Sequence, residues 1–323
     1  MIEVKRKMEG VTLEEFWNRF HTSRKELVKF IHTALKHGFV YTHSGKEFHA
    51  DEVFAIALLD LYRVHLNNKA RKTLYLPFKI IRDRDIKDKR NVLKIDVDES
   101  VFDHHFPKSE AAFRENGIQY ASAGLMWAVL GKEFIEEEFA YSMDEAIFQS
   151  IDGADNGQDV DSQYSEMIAS FVPNWNESLN LEKQMALAIE FAKTIIVRKI
   201  AFFNAISESR EAVRKAYDDA EDKRIVILPQ SMNWQGVLVP TEAKYVIWKS
   251  DNTFCCQAVP VEVASFELKV PFYKEWRGLR NEEIRKISGL NLVFCHSTGF
   301  YLVSNTLEDA VKACLISLEE KNA

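Results

Sequence analysis

A chain of 323 residues is longer than a single hydrophobic core usually grows, so more than one domain is expected. Its 46% apolar and 12% aromatic residues suffice for such cores, while a net charge of −7 excludes a protein whose whole surface grips a nucleic-acid backbone. No run of about 18 apolar residues suggests a membrane span, and Glu3, Glu9, Glu14 and Glu15 among the first lysines fit neither a signal peptide nor a transit peptide.

Residues 11–37 set Phe16, Phe20, Leu27, Phe30, Ile31 and Leu35 at near-helical spacing, and Thr12 with Glu15 makes a capping-box pattern, which predicts two helices ahead of the core. After Gly38, the β-branched and aromatic run Phe39-Val40-Tyr41-Thr42 predicts a strand ending at His43. Residues 51–65 are apolar on nearly every side, as a buried helix is. Residues 78–81 and 92–95 read as strands, 122–131 as a helix capped by Ser122, and 144–151 as a further helix. Strands alternating with helices predict an α/β fold with a mostly parallel sheet and flanking helices. In such sheets, ligands bind beyond the carboxyl ends of the strands.

Pro173 and Trp175 among polar residues mark a boundary, so 1–37 read as a helical extension, 38–170 as the first domain and 171–323 as a smaller α+β domain. A long helix from Leu181 to about Ala220 leads into the second domain, followed by short strands at 225–228, 245–248, 254–259, 292–295 and 300–303 and a closing helix at 307–318. Cys255, Cys256, Cys295 and Cys314 lack metal-type spacing and read as reduced thiols, which points to the cytoplasm. Alternation along a strand would bury one of Cys255 and Cys256 and leave the other near the surface.

Histidines and acids cluster where strands end. His43, His49 and Asp51 follow the first strand, and Asp96 and then Asp103-His104-His105 follow the third. Imidazole and carboxylate together suit Mn²⁺ and tolerate Mg²⁺, Co²⁺ or Zn²⁺. Two such ions about 3.5–4 Å apart acidify a water and polarise a phosphoryl group. Singly, each residue has a plainer reading: His43 as a surface group, Asp51 and Glu52 as helix N-terminal acids, Asp152 and Asp155 as turn formers. Asp103-His104-His105 resists that reading, because Val101, Phe102 and Phe106 flank it and an unpaired buried charge is costly.

The ordered segments His43-Ser-Gly-Lys-Glu-Phe-His49-Ala-Asp51-Glu52, Asp96, Asp103-His104-His105, Ser122-Ala123-Gly124 and Asp152-Gly-Ala-Asp155-Asn156-Gly157 resemble the melanocyte-proliferating-gene family, a branch of the DHH phosphoesterases. Pro173-Asn174-Trp175-Asn176, Trp276-Arg277-Gly278-Leu279-Arg280 and Phe294-Cys295-His296-Ser297-Thr298-Gly299 are similar to its later segments. The resemblance implies a DHH-type catalytic domain and a Mn²⁺-dependent hydrolase with 3′-to-5′ RNA exonuclease action. It implies His43, His49, Asp51, Asp96 and Asp103 as ligands with Asp152 completing the set, Asp155 standing open as the alternative to Asp152, Asp96 as a candidate bridge, and His104 as a ligand or a group orienting one. His105 would meet the reacting phosphate, and Arg277, Arg280 and His296 would grip the substrate. This chain departs from the pattern at Asp98-Glu99, where the family tends to carry glycines, and at Phe106, where a polar residue is usual.

A basic strip supports a nucleic-acid substrate. Residues 67–94 hold ten Lys or Arg, Arg82 and Arg84 among them, against three Asp, for a net +7. Such a strip suits single-stranded RNA or a short oligonucleotide. Alternatives are a hydrolase of pyrophosphate or a dinucleotide, and an inactive nucleic-acid-binding relative; an oligomer is open to all three.

Overall fold

The computed structural model describes residues 10–84, 86 and 92–320. Lys87, Lys89 and Arg90 of the basic strip lie outside them.

Two helices open the chain. Thr12 caps α1 (Leu13–Arg19) through a formed capping box with Glu15, and Ser23 caps α2 (Arg24–His37), which Gly38 ends at φ 72°. Strand β1 (Phe39–Thr42) follows at once. Helix α3 (Ala50–Ala70) is buried at every residue from Ala50 to Leu59, which is why its sequence carries no polar face there. Strands β2 (Lys79–Arg82) and β3 (Leu93–Lys94) flank β1 in the order β2-β1-β3, both parallel to it, with Thr42 opposite Arg82 and Tyr41 opposite Lys94. All three carboxyl ends therefore leave the sheet on one side, where the chain next supplies His43 and Asp96.

Helix α4 (Ser122–Leu130) starts one residue earlier than a Ser122 cap implies: Ala121 is its N-cap, and Ser122 is buried in the first turn. After α5 (Glu137–Met143), a π-helical stretch (Asp144–Phe148) runs into α6 (Gln149–Asp155), so the expected helix at 144–151 is longer and wider at its start. Helices α7 (Gln163–Ala169) and α8 (Leu181–Asp219) follow.

The helical extension is part of the first unit. Val11 bridges Ala112, Phe16 and Phe20 meet Phe106 edge-on at 5.4 and 6.2 Å, and Arg19 pairs with Glu110 at 2.5 Å. Phe106, the apolar departure after the histidine pair, is thus the anchor for α1.

The chain divides into Met1–Ala201 and Phe202–Ala323, inside α8, where the composition shift near 170 suggested an earlier boundary. The first half of α8 is tied to the first unit by Lys193 on Asp60 at 2.7 Å and Phe191 beside Phe171. Its second half belongs to the other unit, with Val213 in that core and Ser209 donating to Asn233 O. Polar composition marks exposed coil, but burial of the helix decides the division.

The second unit is a five-stranded sheet of β4 (Ile225–Leu228), β5 (Tyr245–Ser250), β6 (Thr253–Ala258), β7 (Leu292–Cys295) and β8 (Tyr301–Ser304), in the order β4-β5-β6-β8-β7. Only β4 and β5 are parallel. Helices α9 (Gln235–Leu238), α10 (Asn281–Ser288) and α11 (Leu307–Glu320) complete it. All four cysteines are free and buried, Cys255 as well as Cys256. Trp248, the cross-strand neighbour of Cys255, and Tyr301 are in ring contact, and both share its face of the sheet. No described helix is long and apolar enough to cross a membrane.

Candidate metal centre

The loop after β1 is built around His43. Gly45 N–H donates to His43 Nδ1 at 3.0 Å, and a Cβ on Gly45 would stand 2.8 Å from that nitrogen, so the approach requires glycine. The remaining ring proton is then on Nε2, 2.9 Å from Glu52 Oε1 and 3.6 Å from Asp96 Oδ2. Glu52 also accepts from the Thr42 hydroxyl and the His49 amide, and its hydrogen bond to His43 raises that imidazole's pKa. Arg82, expected on the substrate, spends its Nη2 on Gly45 O at 2.9 Å and Glu47 O at 2.6 Å, clamping the loop between the two histidines. Arg84 is exposed.

Among the described residues, three groups of ligand-type atoms lie within 4.8 Å of one another: His43, His49 and Asp96; Asp96, His104 and His105; His49, Asp51 and Asp155. The centre of the arrangement is His104 Nε2, which stands 3.0 Å from Asp155, 3.3 Å from Asp96 and 3.8 Å from Asp51. Asp51 and Asp96 are 0% and 3% exposed, and one oxygen of each, like His104 Nε2, is buried without a hydrogen-bond partner. Burial, then the charges of Asp155 and Asp96, hold the Asp51 carboxyl well above the usual carboxylate range. Burial alone would lower His104, but the Asp155, Asp96 and Asp51 carboxylates around it push it up to about 12. Packing several carboxylates together out of water is costly unless a cation compensates them. Buried oxygens of Asp51 and Asp96 without partners, in groups of imidazole and carboxylate atoms within 4.8 Å of one another, fit a divalent ion of the Mn²⁺ or Mg²⁺ kind.

Asp103, expected as a ligand, is in none of the three groups. One of its oxygens accepts from His105 Nδ1 at 2.8 Å and from the His105 amide, and the other accepts from the Glu99 amide at 2.8 Å. Burial would raise the Asp103 carboxyl, but the bonds from His105 carry it below its usual pKa, while His105 is raised and its side chain is 64% exposed. Asp103 thus orients the exposed histidine and the loop behind it.

That loop is strained. Asp96, Asp98 and Glu99 take φ of 57°, 62° and 46°, the left-handed region in which a side chain costs roughly 1–2 kcal/mol. The residues standing in place of glycines are the ones in glycine-like conformation. Replacing Glu99 by glycine keeps the amide that Asp103 accepts from and should stabilise the protein by about 0.5–1 kcal/mol after glycine's extra entropy in the unfolded chain. The midpoint of urea unfolding measures this, and a lower midpoint would refute it.

Of the two aspartates on α6, Asp155 joins the cluster and Asp152 does not. Asp152 is fully buried, accepting from Gly124 N at 2.9 Å and Arg114 Nη2 at 2.7 Å, and burial holds its carboxyl up to about 7 despite the Arg114 charge. Arg114 in turn makes two bonds of 2.7 Å to Asp144 and lies over Tyr120. A Cβ at Gly124 would come within 1.8 Å of Asp152 Oδ2 and 2.4 Å of Arg114 Nη2. Asn156, at the end of α6, bonds His104 Nδ1 through its side chain at 3.1 Å.

In the second unit, Arg277 donates to Phe272 O, Arg280 stacks on Phe294, and His296 Nδ1 accepts from the Thr298 amide. Sequence reasoning reads Glu52 only as a helix-terminal acid and passes over Arg114. The available signals are Glu52 directly after Asp51, and a lone arginine after the small and apolar Ala111-Ala112-Phe113.

The MYG1 exonuclease family model, described as an uncharacterised protein family (UPF0160), matches residues 39–318. A MYG1 protein of Schizosaccharomyces pombe is 25% identical over 87% of this chain and 97% of its own length. A protein named MYG1 exonuclease from Bos taurus is 24% identical over 87% of this chain and 85% of its own. RecJ of Thermus thermophilus, solved in complex with Mg²⁺, aligns with 92% of this chain and 52% of its own at 12% identity and a TM-score of 0.26. The chain spans about half of that RecJ, and so low a TM-score does not establish a shared fold.

Proposed function

The chain belongs to the MYG1 exonuclease family, and on that premise we propose that it is a metal-dependent phosphodiester hydrolase that degrades single-stranded RNA from the 3′ end. The observation that carries the reading is His104 Nε2 facing Asp51, Asp96 and Asp155 with orphaned, buried oxygens around it.

Asp51, Asp96, Asp155, His49 and His104 would hold the metal, with His43 beside His49 and Asp96 in one of the three groups. The sharing of Asp96 and of His49 between groups supports two adjacent ions, Mn²⁺ being the best match to mixed nitrogen and oxygen donors. Bound divalent ions supply an acidified water and neutralise phosphoryl charge. The protein's own part is to orient and to move protons. Asp103 holds His105 through Nδ1, which leaves Nε2 for a phosphoryl oxygen, and the raised pKa keeps a proton there to donate. Arg84 and the other basic residues of the strip would follow the RNA backbone, and Arg277, Arg280 and His296 are candidate phosphate groups of the second unit. The free cysteines suit a reducing, cytoplasmic setting.

Purified protein loaded with Mn²⁺ and given end-labelled RNA, DNA, dinucleotides and pyrophosphate in parallel tests this. RNA shortened stepwise from its 3′ end is expected, with no turnover in EDTA. Turnover of pyrophosphate alone, or of nothing, would sink the proposal.

A further inference from the structure

His104 meets the carboxylate cluster through Nε2, so the group at its other nitrogen decides whether Nε2 can serve as a lone-pair donor. That group is Asn156, the residue after Asp155 at the end of α6. Its Nδ2 donates to Asp152 O at 2.8 Å and to Tyr120 O at 3.3 Å. Carbonyl oxygens have no proton to give, so only the NH₂ end of the amide can face them. Oδ1 is thereby turned to His104 Nδ1 at 3.1 Å, and an oxygen acceptor there calls for Nδ1–H. Reversing the amide would set oxygen against two carbonyl oxygens, each losing its donor in a partly buried place.

We propose that Asn156 is a positioning residue of the metal centre: locked by Tyr120 O and Asp152 O, it keeps the His104 proton on Nδ1 and so reserves Nε2 as the lone pair facing Asp51, Asp96 and Asp155. The inference rests on the metal-centre reading and adds a residue that acts through His104. Outer hydrogen bonds of this kind fix ligand tautomer and ring angle, and losing one typically weakens metal binding by about ten- to a hundredfold. The arrangement also gives the buried Arg114–Asp152 pair a consequence for the site. The same short helix carries Asp152, which Arg114 holds, and Asp155, which faces His104.

Two measurements test this without reference to catalysis. Long-range ¹H–¹⁵N correlation spectra of the Zn²⁺-loaded protein read the His104 tautomer: a proton on Nδ1 and a bare Nε2 are expected, and a protonated Nε2 overturns the inference. Mn²⁺ titration calorimetry then compares two variants. Asn156→Leu removes the acceptor and should weaken Mn²⁺ binding by about ten- to a hundredfold. Asn156→Asp still accepts from Nδ1 but turns its second oxygen on two carbonyls, so it should melt lower than wild type yet keep nearly wild-type Mn²⁺ affinity. Affinity that instead falls in step with melting temperature in both variants would mean that Asn156 merely supports the fold. If the wild-type protein takes up neither Mn²⁺ nor Zn²⁺, the metal-centre reading fails first and this inference with it, whereas uptake with the wrong tautomer defeats the inference alone.

Discussion

Asp51→Asn should abolish hydrolysis and at the same time make the metal-free protein harder to unfold. Asp51 is fully buried, and the largest charge effects on it come from Asp155, Asp96, His104 and Glu52, of which only His104 is cationic. A neutral amide removes that repulsion and can still accept from the Ser122 amide that Asp51 meets at 3.4 Å. The gain should be roughly 0.5–2 kcal/mol, the usual size when a strained functional residue is relieved. Its sign with pH follows from the raised pKa. Wild type loses stability as rising pH strips the Asp51 proton in the fold, whereas the amide does not titrate, so the difference widens from acid towards neutral pH. Activity should fall at least about a thousandfold, because a divalent ion supplies several kcal/mol at the transition state. Thermal unfolding in EDTA and in Mn²⁺ checks both halves. Wild type should melt higher when the ion is added and the variant should not. A variant that keeps both its activity and its Mn²⁺-induced shift would remove Asp51 from the centre.

Gly124→Ala should cost on the order of 3–5 kcal/mol, as breaking a buried ion pair does. The added methyl would stand 1.8 Å from Asp152 Oδ2 and 2.4 Å from Arg114 Nη2. Neither group is the free end of a flexible chain. Asp152 is held by the Gly124 amide and by Arg114, and Arg114 by two bonds to Asp144. Moving either leaves a charge buried without its partner, and moving α6 instead carries Asp155 out of the cluster. Chemical denaturation at unchanged m-value should record the loss, and Mn²⁺ affinity should drop with it. A variant within about 1 kcal/mol of wild type, the ordinary effect of a substitution, would show that the network yields freely.

Much of the site was legible because metal chemistry restricts residue type. His49, Asp51 and Asp96 stand out in the chain as donors placed just after strands, and two short parallel pairings, Val40 with Leu93 and Tyr41 with Lys94, suffice to bring those strand ends together. The departure at Asp98 and Glu99 was visible in the sequence, but the left-handed backbone that makes it a strain came only with the structure. Phe106 became intelligible only when α1 was seen packed on it.

From the order of residues alone come the element types, the alternation of strand and helix that makes a parallel sheet, and the set of donors from which a divalent-ion site could be drawn. Packing then chose which donors face inward. It turned Asp155 to His104 and Asp152 to Arg114, gave Asp103 to His105, and set Arg82 on the loop carbonyls. It also put the division of the chain inside α8. The reason is that spacing along a helix says which residues share a face, while the partner that face meets comes from another part of the chain, about 30–40 residues away for Arg114 with Asp152 and about 50 for His104 with Asn156.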